Sequence, residues 1–497
     1  MSIREILETK AEKNGEMPFV SYNNQCVSFR DFNTNINKAV NVFQLLNIKK
    51  GDKVCLLLPD CLEYLYLWFA LAKIGAVMVP LPMNIEQHKF RYILEQSAVK
   101  LIIINEKSAS RNLKIKNKLF LLHGDTDDPP DGFILLKNLT SSSSDKVNIK
   151  TNINGNDPLA IFYSFAKQGA PIGSVVSHSN YINTGRMWIE DIIEYKKDDI
   201  LHSSLSLNHP CTQILTVMGS LLSGCPFIMR EKSFIRDFWE VILEHSITIF
   251  FYTPQIIYAL LNQTEESNIP DTNLRIVYGP RISKELWIMF EKRFGIKLLS
   301  GYWHDASGLC LSNNKFHTKL GSIGVPTKYY DVGIWGENNK ELPIGQIGEM
   351  VVKTKGPEYE FSGYYRLKDK NRESWQNGWF KTGDAAYRDV EGYFYYIDKI
   401  EKCVLVNGTS ISAAEIENEV NAYPNVLTST VEIIQSESDL SSYIINVKII
   451  PKKDKQLDTH SLIESCGEKL GLSIDHMEIE IVGDFSHSLT NRLKLTV

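Results

Sequence analysis

Residues 54–81 read VCLLLPDCLEYLYLWFALAKIGAVMVPL. The first six are a short apolar run, the length of a buried strand. Residues 61–73 then place Leu62, Tyr66, Phe69 and Ala70 at helical spacing, and Gly75 supplies a stop signal. Residues 77–81 are a second short apolar run. Strand, helix and strand in this order predict a βαβ unit, and hence a parallel sheet. The strand signal returns at 101–105 (LIIIN) and 159–163, and a second βα region spans about 200–300. Residues 124–132 (GDTDDPPDG) and the serines at 141–144 are loops between these elements. Residues 341–353 read as a β segment with a turn at Gly345, and short strands and turns follow from 378. The predicted fold is α/β: a large N-terminal domain of βαβ-built sheets sandwiched by helices, a small β subdomain, and a small α+β C-terminal domain. The boundary is expected at 398/399, giving domains 1–398 and 399–497.

The chain has 497 residues, long enough for more than one core. A formal net charge of −5 leaves no electrostatic footprint for nucleic acid. Asp60, Glu63 and Lys73 interrupt the most apolar stretch, so no integral membrane segment is expected. The first 13 residues lack the apolar region of a secretory signal. Eight scattered cysteines without a Cys-x-x-Cys pair fit reduced thiols in a cytoplasmic protein, and no structural zinc is expected.

Several stretches carry a resemblance. They are GWFKTGD at 378–384, GY at 392–393, GTSISAAEIE at 408–417, GSIGVP at 321–326, GQIGE at 345–349, and the FALAKIGAVMVPL run. Residues 238–261 (FWEVILEHSITIFFYTPQIIYALL) add a helix–strand–helix pattern. In this order they resemble the superfamily of acyl-CoA synthetases, peptide-synthetase adenylation domains and luciferases, nearest the carnitine- and fatty-acyl-CoA ligase branch. The resemblance implies ATP-dependent, AMP-forming activation of a carboxylic acid as acyl-AMP, passed to a thiol such as CoA. It implies ATP, Mg²⁺ and CoA as cofactors. The chain has no carrier-domain serine motif, so a carrier protein serving in place of CoA would be a separate partner.

The same resemblance assigns residues. The family's phosphate loop, YTSGTTG-x-PKG, corresponds to YSFAKQGAPIG at 163–173, which keeps Tyr163, Gly169, Pro171 and Gly173. Gly169 and Gly173 are thereby nucleotide-binding candidates, because a glycine lets backbone N–H groups approach phosphate. Ile172 takes the place of the lysine. Lys167 offers a charge nearby; the competing reading is a drifted loop that only connects two elements. The family's Y-G-x-T-E becomes YWHDA at 302–306. Tyr302 is kept for the nucleotide, and Trp303 is expected to narrow the adenine-side wall. Asp305 stands one residue before the usual glutamate; it can meet Mg²⁺ or simply solvate a loop. Asp384 of the TGD run is the ribose ligand. Lys399 replaces the family arginine, keeping the charge and losing the fork. Lys402, or Glu401, is the hinge. His209 and Gln213 line the acyl pocket. Arg492 occupies the place of the C-terminal catalytic lysine. Three of these replacements bear on the adenylation half-reaction. The alternative is therefore a catalytically impaired member acting as a ligand-binding, accessory or regulatory protein.

Overall fold

The computed structural model describes residues 2–109, 118–165, 170–230, 237–263, 271–304, 308–336, 338–356, 359, 362–406, 409–435, 443–452, 457–470 and 477–482. The chain divides into two compact units, Met1–Asp331 with Lys353–Phe380, and Val332–Val352 with Lys381–Val497.

The first unit holds two sheets. One has seven strands in the order Phe133–Leu135, Leu119–His123, Leu101–Asn105, Lys53–Leu57, Val77–Pro80, Pro158–Ser164 and Ile172–Ser177. Its pairings are parallel except for the last, an antiparallel hairpin. The other has nine strands: Val325–Pro326, Gly308–Ser312, Lys297–His304, Ile276–Gly279, Ile249–Phe251, Leu201–Ser203, Phe227–Met229, Pro18–Tyr22 and Gln25–Ser28. Its middle is parallel, and antiparallel strands flank it at both edges.

Strand alternation explains why these runs are apolar throughout. Leu101 and Ile103 enter the central core, while Ile102 and Ile104 enter a second core on the other face of their sheet. Ile249 and Phe251 likewise face the central core, and Phe250 faces a third. A parallel sheet covered on both faces requires hydrophobic residues at every position. The central core is filled by helices between the two sheets. Chief among them is Leu62–Ile74, in which 11 residues are buried and whose C-cap Gly75 takes a left-handed φ of 73°. The βαβ unit expected from residues 54–81 is thus present, at the centre of the unit.

Lys73 lies on that buried helix and is 1% exposed. Its ammonium donates to Asn33 Oδ1 (2.9 Å) and Asn37 Oδ1 (2.8 Å) and pairs with Glu8 (2.9 Å). Three acceptors match the three donors of an ammonium. Burial lowers its pKa, partly offset by Glu8. Among the described residues no helix is long and apolar enough to cross a membrane.

The second unit carries strands Gly348–Thr354 (to Val352 within this unit), Trp379–Arg388 (from Lys381) and Phe394–Lys399. A tight turn, Ile400–Lys402, leads to the hairpin Cys403–Val406 and Thr409–Ser412 and then to the helix Ala413–Ala422. Strands Val426–Gln435, Tyr443–Pro451 and Met477–Ile481 form a sheet that buries Ile445, Val447 and Ile449 against Ile416, Val420 and Leu462. The AEIE run has a local explanation. Glu415 closes a capping box with Ser412, Glu417 Oε1 accepts Val431 N–H at 2.9 Å, and Ile416 between them is buried.

Candidate functional site

In the first unit, the strand Lys297–His304 delivers Tyr302, which is buried, with its ring stacked on His304 at 6.4 Å between centroids. Residues two apart on a strand share a face, which is why these rings meet. His304 in turn lies 5.3 Å from the Phe380 ring. Trp303 was expected to narrow the nucleotide wall; its indole packs against the central core, and its buried Nε1–H has no partner among the described residues.

The hairpin Pro158–Ser164/Ile172–Ser177 brackets the loop matched to phosphate binding. Gly173 pairs with Tyr163 in register. A Cβ on Gly173 would come within 2.8 Å of Ile161 Cγ2 and 3.0 Å of Tyr163 Cζ. The glycine therefore makes room for the Tyr163 ring, whose hydroxyl donates to Gln96 Oε1 at 2.5 Å. Burial pushes that phenol up, so it remains a neutral donor.

His209 is half-buried at the entry to the segment Thr212–Met218, which winds as a π-helix. Its Nδ1 accepts Cys211 N–H, and its carbonyl accepts Gln213 N–H, both at 3.2 Å. Gln213 is fully buried. Its Oε1 accepts from Tyr181 OH at 2.6 Å, and its Nε2 donates to the Leu207 carbonyl at 2.6 Å and to Tyr64 OH at 3.4 Å. The amide thus ties the segments bearing Tyr64, Tyr181 and Leu207 together. Isolated π turns are often found at functional sites. Neither Tyr64 nor Tyr181 was singled out from the sequence, because only the tertiary fold brings them to Gln213.

The second unit holds the other group. Asp384, 3% exposed, faces Lys399 across paired strands, with Nζ 2.6 Å from Oδ1. The three residues before the aspartate are each braced. Lys381 pairs with Glu349 at 3.1 Å, Thr382 Oγ1 donates to the Met350 carbonyl at 2.7 Å, and Gly383 N–H donates to Glu349 Oε1 at 3.1 Å. Thr382 Oγ1 also accepts Asp384 N–H at 3.2 Å. Gly383 has φ +71°, a left-handed conformation that a side chain would strain. Glu349 is the residue that sequence reasoning quoted without assigning a role. A carboxylate held this rigidly can accept hydrogen bonds from a pair of vicinal hydroxyls without reorganising. Lys402 ends the Ile400–Lys402 turn and pairs with Asp398 at 3.3 Å.

Lys167, Gly169, Asp305 and Arg492 lie outside the described residues. Among the described residues, Cys61, Glu63 and His123 bring potential metal-ligating atoms within 4.8 Å of one another. Burial raises the Cys61 thiol, which opposes the thiolate a metal would bind.

The model of the AMP-binding enzyme family matches residues 7–365. A crotonobetaine/carnitine–CoA ligase of Salmonella arizonae is 26% identical over 94% of this chain and 92% of its own length. The corresponding ligase of Salmonella agona is 28% identical over 80% of this chain and 79% of its own. Among solved structures, the anthranilate CoA ligase AuaEII in complex with anthranoyl-AMP superposes with a TM-score of 0.83 at 19% identity, covering 97% of this chain and 94% of that one. A benzoate CoA ligase from Burkholderia xenovorans gives 0.81 at 16% identity, covering 99% of both chains. These superpositions confirm the expected α/β fold class.

Proposed function

The chain belongs to the AMP-binding enzyme family, and we propose that it is an AMP-forming carboxylate–CoA ligase. In the first half-reaction a carboxylate oxygen of the acid bonds to the α-phosphorus of ATP, and the bond to pyrophosphate breaks. In the second, the thiol sulfur of CoA bonds to the acyl carbon, the thiol gives up its proton, and AMP departs. A carrier-protein thiol is the alternative acceptor. The names of the relatives make crotonobetaine and carnitine the first acids to test.

The observation that carries this reading is the braced Asp384–Lys399 pair, with Glu349 and Thr382 behind it. Asp384 takes the ribose hydroxyls. Lys399 holds the carboxylate in place and contributes positive charge to the adenylation site. Tyr302, Lys167, Gly169 and Gly173 are the nucleotide-binding candidates of the first unit, and Arg492 supplies the charge that the family places on its C-terminal lysine. His209 and Gln213 form one wall of the acyl pocket. Mg²⁺ would neutralise charge on the phosphates, and Asp305 is the residue that would hold it. The functional domains are 1–398 and 399–497, hinged at Lys402, and the setting is the cytoplasm.

The test is pyrophosphate release with Mg·ATP and a panel of acids, beside calorimetry with nucleotide. Release with at least one acid, lost in Asp384→Ala, is the expected result. Nucleotide binding without release from any acid would favour the second reading, a non-catalytic member. Ile172 favours that reading: it opens a strand with an apolar, half-buried side chain where the family places a lysine. Absence of both binding and release would refute the ligase assignment.

A further inference from the structure

Among the described residues of the first unit, four buried hydroxyls, those of Thr184, Ser220, Ser300 and Tyr330, have no hydrogen-bond partner, and two of them face the same point. Thr184 and Tyr330 are each 0% exposed, and neither Thr184 Oγ1 nor Tyr330 OH has a hydrogen-bond partner among the described residues. A buried hydroxyl left unpaired is costly, so a native fold leaves few of them without a purpose. These two converge on Gly308. A Cβ built there would lie 3.4 Å from Tyr330 OH and 3.9 Å from Thr184 Oγ1. Gly308 has φ +80°, a backbone conformation that disfavours a side chain, while the space beside it would take a methyl group at ordinary contact distances. The result is a small gap edged by two hydroxyls.

Its position connects it to the site. Gly308 pairs across the ladder with His304, whose ring stacks on Tyr302. Thr184 lies on the helix His178–Met187, one turn beyond Tyr181, which donates to Gln213. Residues three apart share a helix face. The gap therefore adjoins the wall assigned to the acid rather than standing alone. Burial pushes the Tyr330 phenol up and keeps it a neutral donor and acceptor.

We propose that Thr184 and Tyr330, across Gly308, form a polar subsite that hydrogen-bonds an oxygen of the acid substrate remote from its reacting carboxylate. The substrate class is a small acid bearing a hydroxyl or carbonyl group, not a plain aliphatic acid. This rests on the ligase reading for its ligand, but binding can be measured without turnover. A pocket built around hydroxyls rejects analogues that lack the matching group, because its own polar atoms are then left unpaired.

The experiment is calorimetric titration of the full chain with three-, four- and five-carbon ω-hydroxy acids and their unsubstituted twins, without ATP. In the wild type at least one hydroxy acid is expected to bind about tenfold or more tightly than its twin. Thr184→Val and Tyr330→Phe should each reduce that ratio to about one. The AMP affinity of both variants, measured in parallel, should stay within about twofold of wild type, which also confirms that they fold. Equal binding of all twins in the wild type, binding of none, or an unchanged ratio in both variants would overturn the proposal. A loss of AMP affinity matching the loss of acid discrimination would also overturn it, by assigning the hydroxyls to the nucleotide. A hydroxy-acid preference that disappears in the variants, with no pyrophosphate released from any acid, would uphold the subsite while refuting the ligase reading.

Discussion

Lowering the pH from 7.5 to 5.0 should destabilise the first unit through two histidines. His178 is fully buried; its Nδ1 accepts Ile3 N–H at 3.4 Å, and the charges of Asp157, Lys50 and the N-terminus act on it. His202 is buried in the nine-stranded sheet, its ring stacked on Phe250 and its Nδ1 2.8 Å from the Ile228 carbonyl, with Arg230 and His245 nearby. Burial lowers both from 6.5 to about 4. The unfolded chain therefore binds more protons than the folded one between those values. Their stability contribution is intact above pH 6.5, falls as the pH drops, and levels off near 4. At about 1.4 kcal/mol per pH unit, each histidine costs about 2 kcal/mol at pH 5.0, or about 4 kcal/mol for the pair. Urea titrations followed by tryptophan fluorescence would read this, because Trp68, Trp188 and Trp287 are fully buried in the same unit. The comparison is with the double variant His178→Asn/His202→Asn, since an asparagine amide can reproduce either Nδ1 hydrogen bond but does not titrate. Carboxylates contribute equally to both proteins, so the difference in slope isolates the histidines. Parallel loss of stability in the two proteins between pH 7.5 and 5.0 would refute the reasoning.

Three further outcomes are expected. Lys399→Ala should lower stability by about 1–2 kcal/mol, discounted because the lysine is 47% exposed, and should weaken nucleotide binding in calorimetry; Lys399→Arg should restore most of both. Gly383→Ala should cost about 1–2 kcal/mol from the left-handed φ alone, since no atom lies within 4 Å of the added Cβ, and chemical denaturation would show it. Glu415→Ala should lose about 1 kcal/mol by opening the capping box at Ser412, measured as a shift in the denaturation midpoint of the second unit.

Much of the fold was legible along the chain. Residues 54–81 gave away their strand, helix and strand because apolar spacing and the Gly75 stop are local properties, and buried parallel strands must be apolar on both faces. The TGD run stood out only through its resemblance to the family pattern; that Gly383 is left-handed and Asp384 buried is decided by the fold. Lys73 was legible only as an interruption of an apolar stretch. Its meaning, an ammonium shared among Glu8, Asn33 and Asn37, depends on two other helices.

The candidate site divides along the same line. Sequence by itself determined the class of fold, the order of motifs, and which charged positions depart from the family pattern. Tertiary structure decided that Glu349 braces Gly383, that Gln213 spends its amide on Tyr64, Tyr181 and Leu207, and that Thr184 and Tyr330 meet at Gly308. Local periodicity encodes whether a residue is inside or outside its own element. Which buried polar groups face one another is set by how distant elements pack, and one chain of letters carries that only through the folded whole.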